Sequence, residues 1–578
     1  MRTELRFLFA VGLMFLVLVG TNLLFPRIVP EEETPADSSG VGTVTGGGGP
    51  ALPLVTGTTP TLPRVSGGAT GGNGAVVAPS VVGPATDVAQ EERVTVEGPL
   101  YRFEFSSLGA RLMSAELPGF QSQRHEGVVD LLPPGADGYL SQRLVVGVDT
   151  VDLSRATYRV EPEGGLELRE GGGPETLSFV YQHPTEDFRF EMQYTFDPAV
   201  YLVGVRGSVS GVDRPLLLTD LGDGLAFAEA DSAQEARTMA YVYNHVTDGI
   251  TSTLMRRADP TFVEGRLLWA AFRSKFFVLA MMAGESEEAV TDAEYLGGLI
   301  VSESALAERV RVQAAQGIGD DGVFSYRLYM APQVYDRLSS LGQGMSEVNP
   351  YGWKFFQPIV RPIVSVIMVV LAFLHTNLNI GYGWVLIVFG VAMRVVLFPL
   401  NHKAMKAQLR NMAVQPLVQE IQKRYKDNPE KLQKEMMRLY KEHGFNPLAG
   451  CLPMLIPWPV LIALFFVFQN TIELRGVEFL WLPDLSAKDP FYILPAVLAV
   501  SMFLMQWVSM RSLEQPNQQM KMMMYIMPIM MLFIFVNLAS GLNLYYATAN
   551  IATIPQQMWI AGERKKMKGR PAPKLSDE

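Results

Sequence analysis

The sequence lacks the residues on which most enzymes and disulfide-stabilised domains depend. Its 578 residues include one cysteine, Cys451, so no intramolecular disulfide can form. No HExxH, GxSxG or CxxC motif occurs, and the six histidines are scattered. The glycine runs at 46–49 and 67–74 lack a following Gly-Lys-Ser/Thr, which excludes a phosphate-binding loop there. We therefore expect no cofactor, no metal, no small-molecule substrate and no catalytic residue.

Aromatic residues are missing from residues 30–92, which are rich in Gly, Pro, Thr, Val and Ser. Such a stretch cannot bury enough apolar surface to offset the entropy lost on folding. We predict a flexible linker over residues 30–92.

Long apolar runs are present, and they lie at the two ends of the chain. The first, Phe7 to Phe25, follows Arg2 and Arg6 and precedes no small-residue cleavage pattern, so residues 1–29 are predicted to be an uncleaved signal anchor. A run of about 20 apolar residues is long enough to cross a bilayer. Five more predicted spans crowd the last third of the chain, at 383–400, 451–469, 490–510, 522–538 and 542–561.

Residues 93–345 have the pattern of a soluble β-domain. Every second residue is apolar in FRFEMQYTF (188–196), and turn signals such as EGG and DG separate similar stretches. The pattern predicts one large β-sandwich, closed by a helix over residues 331–345.

The segment at 346–378 is predicted to lie at the membrane surface. Pro358 and Pro362 interrupt it, and Lys354 and Arg361 lie within it. Only about 13 clean apolar residues remain, which is too few for a span. We therefore predict an amphipathic interfacial helix here, followed by a membrane core over 379–561.

The positive charges predict the orientation of the chain. Residues 401–446 hold ten Lys/Arg and five Asp/Glu, and the tail after the last span, 562–578, is also basic, although the whole chain has a net charge of −10. Basic loops stay on the cytoplasmic side. Both termini and the 401–446 loop are thus predicted to be cytoplasmic, with the β-domain and the 471–489 loop outside.

Arg394 stands alone in the apolar run VAMRVVLFPL (391–400), and the predicted spans contain no Asp or Glu to neutralise it. A bare arginine is costly in hydrocarbon, so we expect it to face a hydrated groove. Snorkelling to the headgroups is the alternative. Polar residues of the later spans could line the same groove or join helices by hydrogen bonds; they are Gln506, Asn543, Tyr545, Tyr546, Thr548, Asn550, Thr553, Gln556 and Gln557.

The loop at 401–446 reads as a helical hairpin. Asn428-Pro429-Glu430 is typical of a helix start, and Leu432, Met436 and Leu439 recur at helical spacing. Its basic residues Lys423, Arg424, Lys434 and Arg438 are candidates for binding nascent chains or ribosomal RNA. A solvated hairpin without a partner is the alternative.

Several strings together identify a resemblance. VAMRVVLFPL (391–400), KEHGFNPLAGCLPMLIPWPVLIALF (441–465), VEFLWLPDLSAKDPFYILPAVLAVSMF (477–503) and SGLNLYYATANIATIPQQ (540–557) resemble the YidC membrane protein insertases of bacteria. The layout of anchor, linker and β-domain is similar to the Gram-negative form of that family.

The resemblance implies six transmembrane helices, five of them forming an insertase core, and a periplasmic β-supersandwich. It implies a hydrophilic groove that opens to the cytoplasm and to lipid, with Arg394 as the groove arginine and Tyr546 as a family tyrosine. We take Arg394, Gln506, Tyr546, Asn550 and Gln556 as candidate groove residues. Gly390 stands where the family often has a hydroxyl residue, and Pro457 where it often has a glutamine.

The expected function is insertion, folding and assembly of inner-membrane proteins, alone or with the Sec translocon. By resemblance, the expected partners are nascent membrane proteins, the Sec translocon, the ribosome, the signal-recognition pathway and the lipid bilayer. Two rivals remain at this stage. A transporter for an anionic solute would show inverted repeats, and none is visible between the spans. A carbohydrate enzyme on a membrane anchor would need an acid/base pair in the β-domain.

Overall fold

A computed structural model describes residues 91–284, 295–349, 357–399, 417, 420–421, 424–425, 428–442, 458–511 and 518–567. The chain divides into two compact units, one of residues 22–331 and one that joins residues 1–21 to residues 332–578. The predicted signal anchor and linker lie outside the described residues.

The first unit is built from β-strands in two sheets. The smaller sheet has the order β4-β3-β2-β1-β8. Its strands are β1 Arg93–Glu97, β2 Arg102–Ser106, β3 Arg111–Gln121, β4 Val128–Asp130 and β8 Leu166–Glu167. Neighbours pair antiparallel except β1 and β8, which are parallel.

The larger sheet has 14 strands, with the path β6-β5-β12-β18-β17-β15-β16-β19-β11-β10-β9-β7, and with β13 attached to β15 and β14 attached to β13. Its strands are β5 Gln142–Val146, β6 Asp149–Asp152, β7 Arg159–Glu161, β9 Glu175–Gln182, β10 Arg189–Phe196, β11 Leu202–Ser210, β12 Leu216–Gly222, β13 Ala240–His245, β14 Gly249–Leu254, β15 Thr261–Arg273, β16 Phe277–Ala283, β17 Leu296–Glu303, β18 Val310–Gly317 and β19 Val323–Pro332. A five-residue helix, α1 Ser232–Ala236, lies between β12 and β13.

Period-two alternation produces the core of this unit. On β10 the apolar side chains Phe190, Met192, Tyr194 and Phe196 are fully buried, while the residues between them are not. Successive strand residues point to opposite faces, so one face of β10 enters the core. Phe105 of β2 packs there, with its ring centroid 5.2 Å from that of Tyr194. The predicted all-β domain is confirmed.

The helical unit contains α2 Tyr335–Ser340, α3 Gln357–Leu378, α4 Tyr382–Val396, α5 Pro429–Glu442, α6 Trp458–Asn470, α7 Ile493–Arg511, α8 Gln518–Phe535 and α9 Ser540–Met567. Its core is formed by apolar side chains of α3, α4, α6 and α9 and of the loop after α6. Four of the five predicted C-terminal spans contain a short apolar helix, at Tyr382–Val396, Val460–Asn470, Ile493–Val508 and Met524–Phe535. The number of spans stays a prediction.

The helix predicted over 331–345 is not continuous. It consists of α2 and a separate 3₁₀ turn, Met345–Glu347. Between them Gly342, Gln343 and Gly344 all have positive φ values of 69°, 48° and 71°. That left-handed backbone ends a right-handed helix, and glycine adopts it at little cost.

The segment at 346–378 is longer and more regular than its prolines suggested. Helix α3 has 22 residues and includes Pro362. Val360, Val364, Ile367 and Leu371 form its buried face, and α3 packs on α6 and α4. Its outer face is also apolar, with Val366, Val369 and Phe373 more than 60% exposed. Pro362 therefore does not interrupt the helix as predicted, and among the described helices α3 alone is both long and apolar enough to cross a membrane; its interfacial placement stays a prediction.

In the 401–446 loop the structure describes helix α5 and a few residues before it, so the hairpin stays a prediction. Helix α5 begins at Pro429, and the Asn428 side chain accepts a hydrogen bond from the Lys431 backbone N–H at 3.1 Å. Leu417 and Ile421 pack with Leu439 in a separate apolar cluster, joined by Tyr425, Leu432 and Met436. The predicted start signal and the predicted apolar face of the second helix are both confirmed.

Candidate functional site

Arg394 lies in the last turn of α4 and is partly buried. Its Nε atom is enclosed and has no hydrogen-bond partner among the described residues. No described carboxylate lies within ion-pairing distance; the side chains that act on it electrostatically are Tyr545 and Tyr546. A guanidinium always carries its charge in a protein. The result is an uncompensated positive charge beside two phenol groups.

Helix α9 brings the two tyrosines to Arg394 because it packs against both α4 and α7. Tyr545 is held by aromatic neighbours, with Phe389 of α4 at 5.7 Å and Phe468 of α6 at 5.6 Å between ring centroids. Tyr546 packs edge-on against Phe535 at the end of α8, at 5.3 Å. These contacts fix the position of both rings on α9.

Gly390 allows α9 to approach α4 closely. A Cβ atom built at Gly390 would lie 3.3 Å from Cγ2 of Thr548 and 3.5 Å from the Tyr545 carbonyl oxygen. The space that a side chain would fill at residue 390 therefore borders Thr548, one of the polar candidates. The other departure from the family pattern, Pro457, lies outside the described residues.

Asn550 belongs to the interface between α9 and α7. The Asn550 amide donates to the Ser501 hydroxyl of α7 at 3.3 Å, and Ser501 donates to the Leu498 carbonyl at 2.7 Å. Gln506 lies further along α7 and is partly exposed, as is Gln556 on α9. Thr553 turns back to its own helix and donates to the Ala549 carbonyl at 2.6 Å. Asn550 thus serves helix pairing, the alternative that the sequence left open.

Asn543 lies in the first turn of α9. It is fully buried, and its amide donates to the Phe535 carbonyl at 3.0 Å. Ser540 begins the same helix, and its hydroxyl donates to the Ala487 carbonyl at 2.8 Å. These bonds attach the start of α9 to the preceding helix and loop.

The basic hairpin residues point away from its apolar cluster. Lys434 and Arg438 are exposed on α5, and Arg424 is exposed and pairs with Glu420 at 3.3 Å. Lys423 lies outside the described residues. An exposed pair of this kind contributes little to stability, so the hairpin presents a charged, solvated surface.

Ser501 is a site residue that the sequence did not identify. It stands in the apolar run VLAVSMF, and its relation to Asn550 depends on how α7 and α9 cross. No spacing rule along one helix reports such a contact. Among the described residues, no group of three or more His, Cys, Asp or Glu side chains could hold a metal ion.

Comparisons with known proteins cover both units. A family model described as 60Kd inner membrane protein matches residues 347–568, and one described as YidC periplasmic domain matches residues 93–366. A protein of Chlorobaculum tepidum named membrane protein insertase YidC is 31% identical over 513 residues, which cover 82% of each chain. Its namesake in Chlorobium phaeovibrioides is 32% identical over 502 residues, covering 81% of this chain and 83% of the other.

Among solved structures, a crystal structure described as an active YidC insertase with its first transmembrane domain resolved is 18% identical and has a TM-score of 0.33. The match covers 82% of this chain and 93% of that one. The sequence matches extend across the β-rich unit and the helical unit alike, at a level of identity and coverage that unrelated proteins do not reach. The chain belongs to the YidC family of membrane protein insertases.

Proposed function

We propose that this protein inserts and helps to fold inner-membrane proteins through a groove centred on Arg394. The observation that carries the proposal is the uncompensated charge of Arg394 beside Tyr545 and Tyr546, between α4 and α9. The names of the relatives, membrane protein insertase YidC, support the same function. The family acts without catalysing a covalent reaction, so no nucleophile or cofactor is required.

The first step is capture of a short polar segment of a nascent protein. Arg394 attracts an acidic residue of that segment, and at about 4 Å and an effective dielectric constant of about 20 this attraction is about 4 kcal/mol. The hydroxyls of Tyr545 and Tyr546 offer hydrogen bonds to a segment that has left bulk water. The polar segment then has less hydrocarbon left to cross.

The second step is release of the apolar part of the substrate into lipid. Burial of apolar surface contributes about 0.8 kcal/mol per CH₂ and supplies the driving force. A membrane potential that is negative inside favours outward movement of an acidic residue by about 2.3 kcal/mol per 100 mV. Gln506 and Gln556, both partly exposed, extend the polar path in this proposal.

The topology that serves this mechanism has six spans, with both termini and the 401–446 hairpin in the cytoplasm. The exposed cations of the hairpin, Arg424, Lys434 and Arg438, are suited to the ribosome, the signal-recognition pathway or an emerging chain. The Sec translocon is the proposed partner for larger substrates. The β-rich unit lies in the periplasm in this arrangement.

The test uses proteoliposomes that contain wild type, Arg394→Lys or Arg394→Ala, each checked for folding by thermal unfolding. The substrate is a single-span protein with a short acidic tail, and a matched substrate carries a neutral tail. For the acidic tail we expect Arg394→Ala to lower the insertion rate at least about tenfold, or about 1.4 kcal/mol, and Arg394→Lys to retain most of it. The neutral tail should be much less sensitive to either change.

Normal insertion of the acidic tail by both variants would remove the charge from the mechanism. If wild type inserts neither substrate above the level of empty liposomes, insertase function itself fails, and transport of an anionic solute becomes the alternative to test.

A further inference from the structure

A segment outside the groove packs onto the helical core and borders a small cavity lined by both polar and apolar side chains. The segment, here called the strap, covers residues 333–349 and follows β19. Its side chains Met345 and Val348 are fully buried, and Gln333 and Asn349 are more than 90% buried. The Asn349 amide donates to the Gln333 side-chain oxygen at 2.5 Å, which ties the two ends of the strap together.

Two polar contacts attach the strap to α3. The hydroxyls of Tyr335 and Ser365 are 2.7 Å apart, and Glu347 pairs with Arg361 at 2.8 Å. The Glu347–Arg361 pair is about one-third exposed, so solvent weakens it. The strap is therefore held by buried apolar side chains and by a few polar contacts whose strength depends on their surroundings.

The cavity lies where the strap, α3 and α6 meet. Its volume is about 30 Å³, which is room for one or two water molecules. The side chains that line it are mostly uncharged: Gln333, Tyr335, Leu338, Ser346 and Asn349 of the strap, Val364 and Met368 of α3, Phe466, Val467 and Asn470 of α6, and Thr471 and Glu473 of the loop that follows.

Glu473 is the one charged residue in that lining. Its Oε2 atom is enclosed and has no hydrogen-bond partner among the described residues. The titratable side chains that interact electrostatically with Glu473 are Asp336 of the strap and Tyr382 of α4. The ring of His375, on α3, stacks on that of Tyr382 with 4.2 Å between centroids. No described Lys or Arg forms an ion pair with it. Glu473 is partly buried, and withdrawing a carboxylate from water without a cation is costly; the cost is much smaller when the group carries a proton.

We propose that Glu473 is a proton-operated latch, which holds the strap on the helical core when it is a neutral carboxylic acid and releases it when it ionises. The neutral acid has an O–H that donates within the cavity, directly or through a water molecule, to the oxygens of the strap amides. The carboxylate has no donor proton and repels Asp336 on the strap. The proposal does not depend on the insertion mechanism.

The direction of the pH dependence follows from the pKa of Glu473. Burial raises this pKa above its ordinary value of 4.5, a hydrogen bond from the residue's own backbone N–H opposes that shift, and the nearby Asp336 adds to it. Below the ordinary value both the docked and the released states are protonated, so docking carries no penalty. As the pH rises through the pKa of the docked state, ionisation favours release. Docking is thus strongest in acid, and in the proposed topology the cavity faces the periplasm.

The experiment is hydrogen–deuterium exchange of the full-length protein in lipid nanodiscs, from about pH 5 to about pH 8, with rates corrected for intrinsic exchange. We expect peptides from residues 335–349 of the wild type to lose protection as the pH rises, while peptides from α9 keep theirs. Glu473→Gln imitates the neutral acid and should keep strap protection at every pH. Glu478→Gln changes an exposed glutamate of the same loop and should behave like wild type.

His375→Gln is a second control, because the His375 ring stacks on Tyr382, which lies near Glu473. Retention of the pH dependence in this variant supports the latch, and its loss assigns the effect to His375 and overturns the proposal. Equal strap protection of the wild type at all pH values would also overturn it. Infrared spectroscopy gives a readout that does not depend on docking. When the spectrum of Glu473→Gln is subtracted from that of the wild type, the difference should contain a protonated carboxyl band that fades as the pH rises.

Discussion

At the scale of single residues, the candidate groove depends on what is missing beside Arg394. No described carboxylate neutralises the guanidinium, and Gly390, four residues earlier on the same helix, has no side chain to separate α4 from α9. Thr548 lies against Gly390, and Tyr545 and Tyr546 come from the preceding turn of α9. A small residue at 390 is therefore part of how the tyrosines reach the arginine.

Enlarging residue 390 should disturb this arrangement. Gly390→Leu would place a branched side chain where even a Cβ lies 3.3 Å from Thr548, and overpacking of this kind costs about 1–3 kcal/mol. We expect a lower midpoint of thermal unfolding in detergent and slower insertion of an acidic-tailed substrate. Gly562→Leu is the matched control, since a Cβ at that helical glycine of α9 would meet nothing within 4 Å. Equal unfolding midpoints for the two variants would contradict the close approach of α4 and α9 at Gly390.

At the scale of elements, the hairpin shows how one helix serves two environments. Leu439 of α5 is 1% exposed and packs with Leu417 and Ile421, whereas Met437, two residues earlier, is 54% exposed. The same helix places Lys434 and Arg438 in solvent. The apolar cluster is small, so each of its members has a large share in holding the two helical segments together.

Leu439→Ala should loosen the hairpin, while Met437→Ala should not. Truncating a buried leucine costs about 2 kcal/mol at the low end of its usual range, which corresponds to about a 30-fold loss of exchange protection. Hydrogen–deuterium exchange of peptides from α5 measures this loss. A similar change in the two variants would show that the cluster does not hold the segments together.

Sequence patterns predicted some elements well because the signals for them are local. The Asn428 side chain accepts a hydrogen bond from the backbone N–H of Lys431, three residues later. The start of α5 could therefore be predicted from the three consecutive residues Asn428-Pro429-Glu430. The length of α3 could not be predicted from local sequence. Helix α3 continues through Pro362, and its packing against α4 and α6 is not visible in the sequence. The interruption of the 331–345 helix had a partial signal in Gly342 and Gly344.

At the scale of the whole molecule, the chain consists of a β-rich unit and a helical unit that are each compact. The membership of the chain in one family follows from sequence matches that cover both units, whereas the groove contacts do not follow from them. Arg394 and Tyr546 could be predicted as site residues by resemblance and by the cost of an isolated charge. The hydrogen bond between Asn550 and Ser501 could not be predicted, because the two residues lie on different helices and are 49 positions apart in sequence.

The division into two units predicts which deletions a cell tolerates. Removal of residues 93–331 takes out the β-rich unit and leaves the strap, the membrane core and the hairpin, so we expect such a protein to support growth of a strain depleted of its own insertase. Removal of residues 401–446 should abolish that support, with both proteins present at equal levels by immunoblot. Rescue by the hairpin deletion would count against the proposed role of the hairpin.

The position of β19 in the large sheet has a consequence for the order of folding. This strand is the last of the sheet in sequence, yet it lies inside the sheet between β16 and β11. It pairs with residues Leu202–Ser208 of β11, which precede it by more than 110 positions. The sheet cannot close while the chain is still emerging, because its central member arrives last. Two partial sheets, each with an unpaired edge, must therefore wait until residue 332 has been synthesised, and only 24 residues lie between residue 332 and the start of α3.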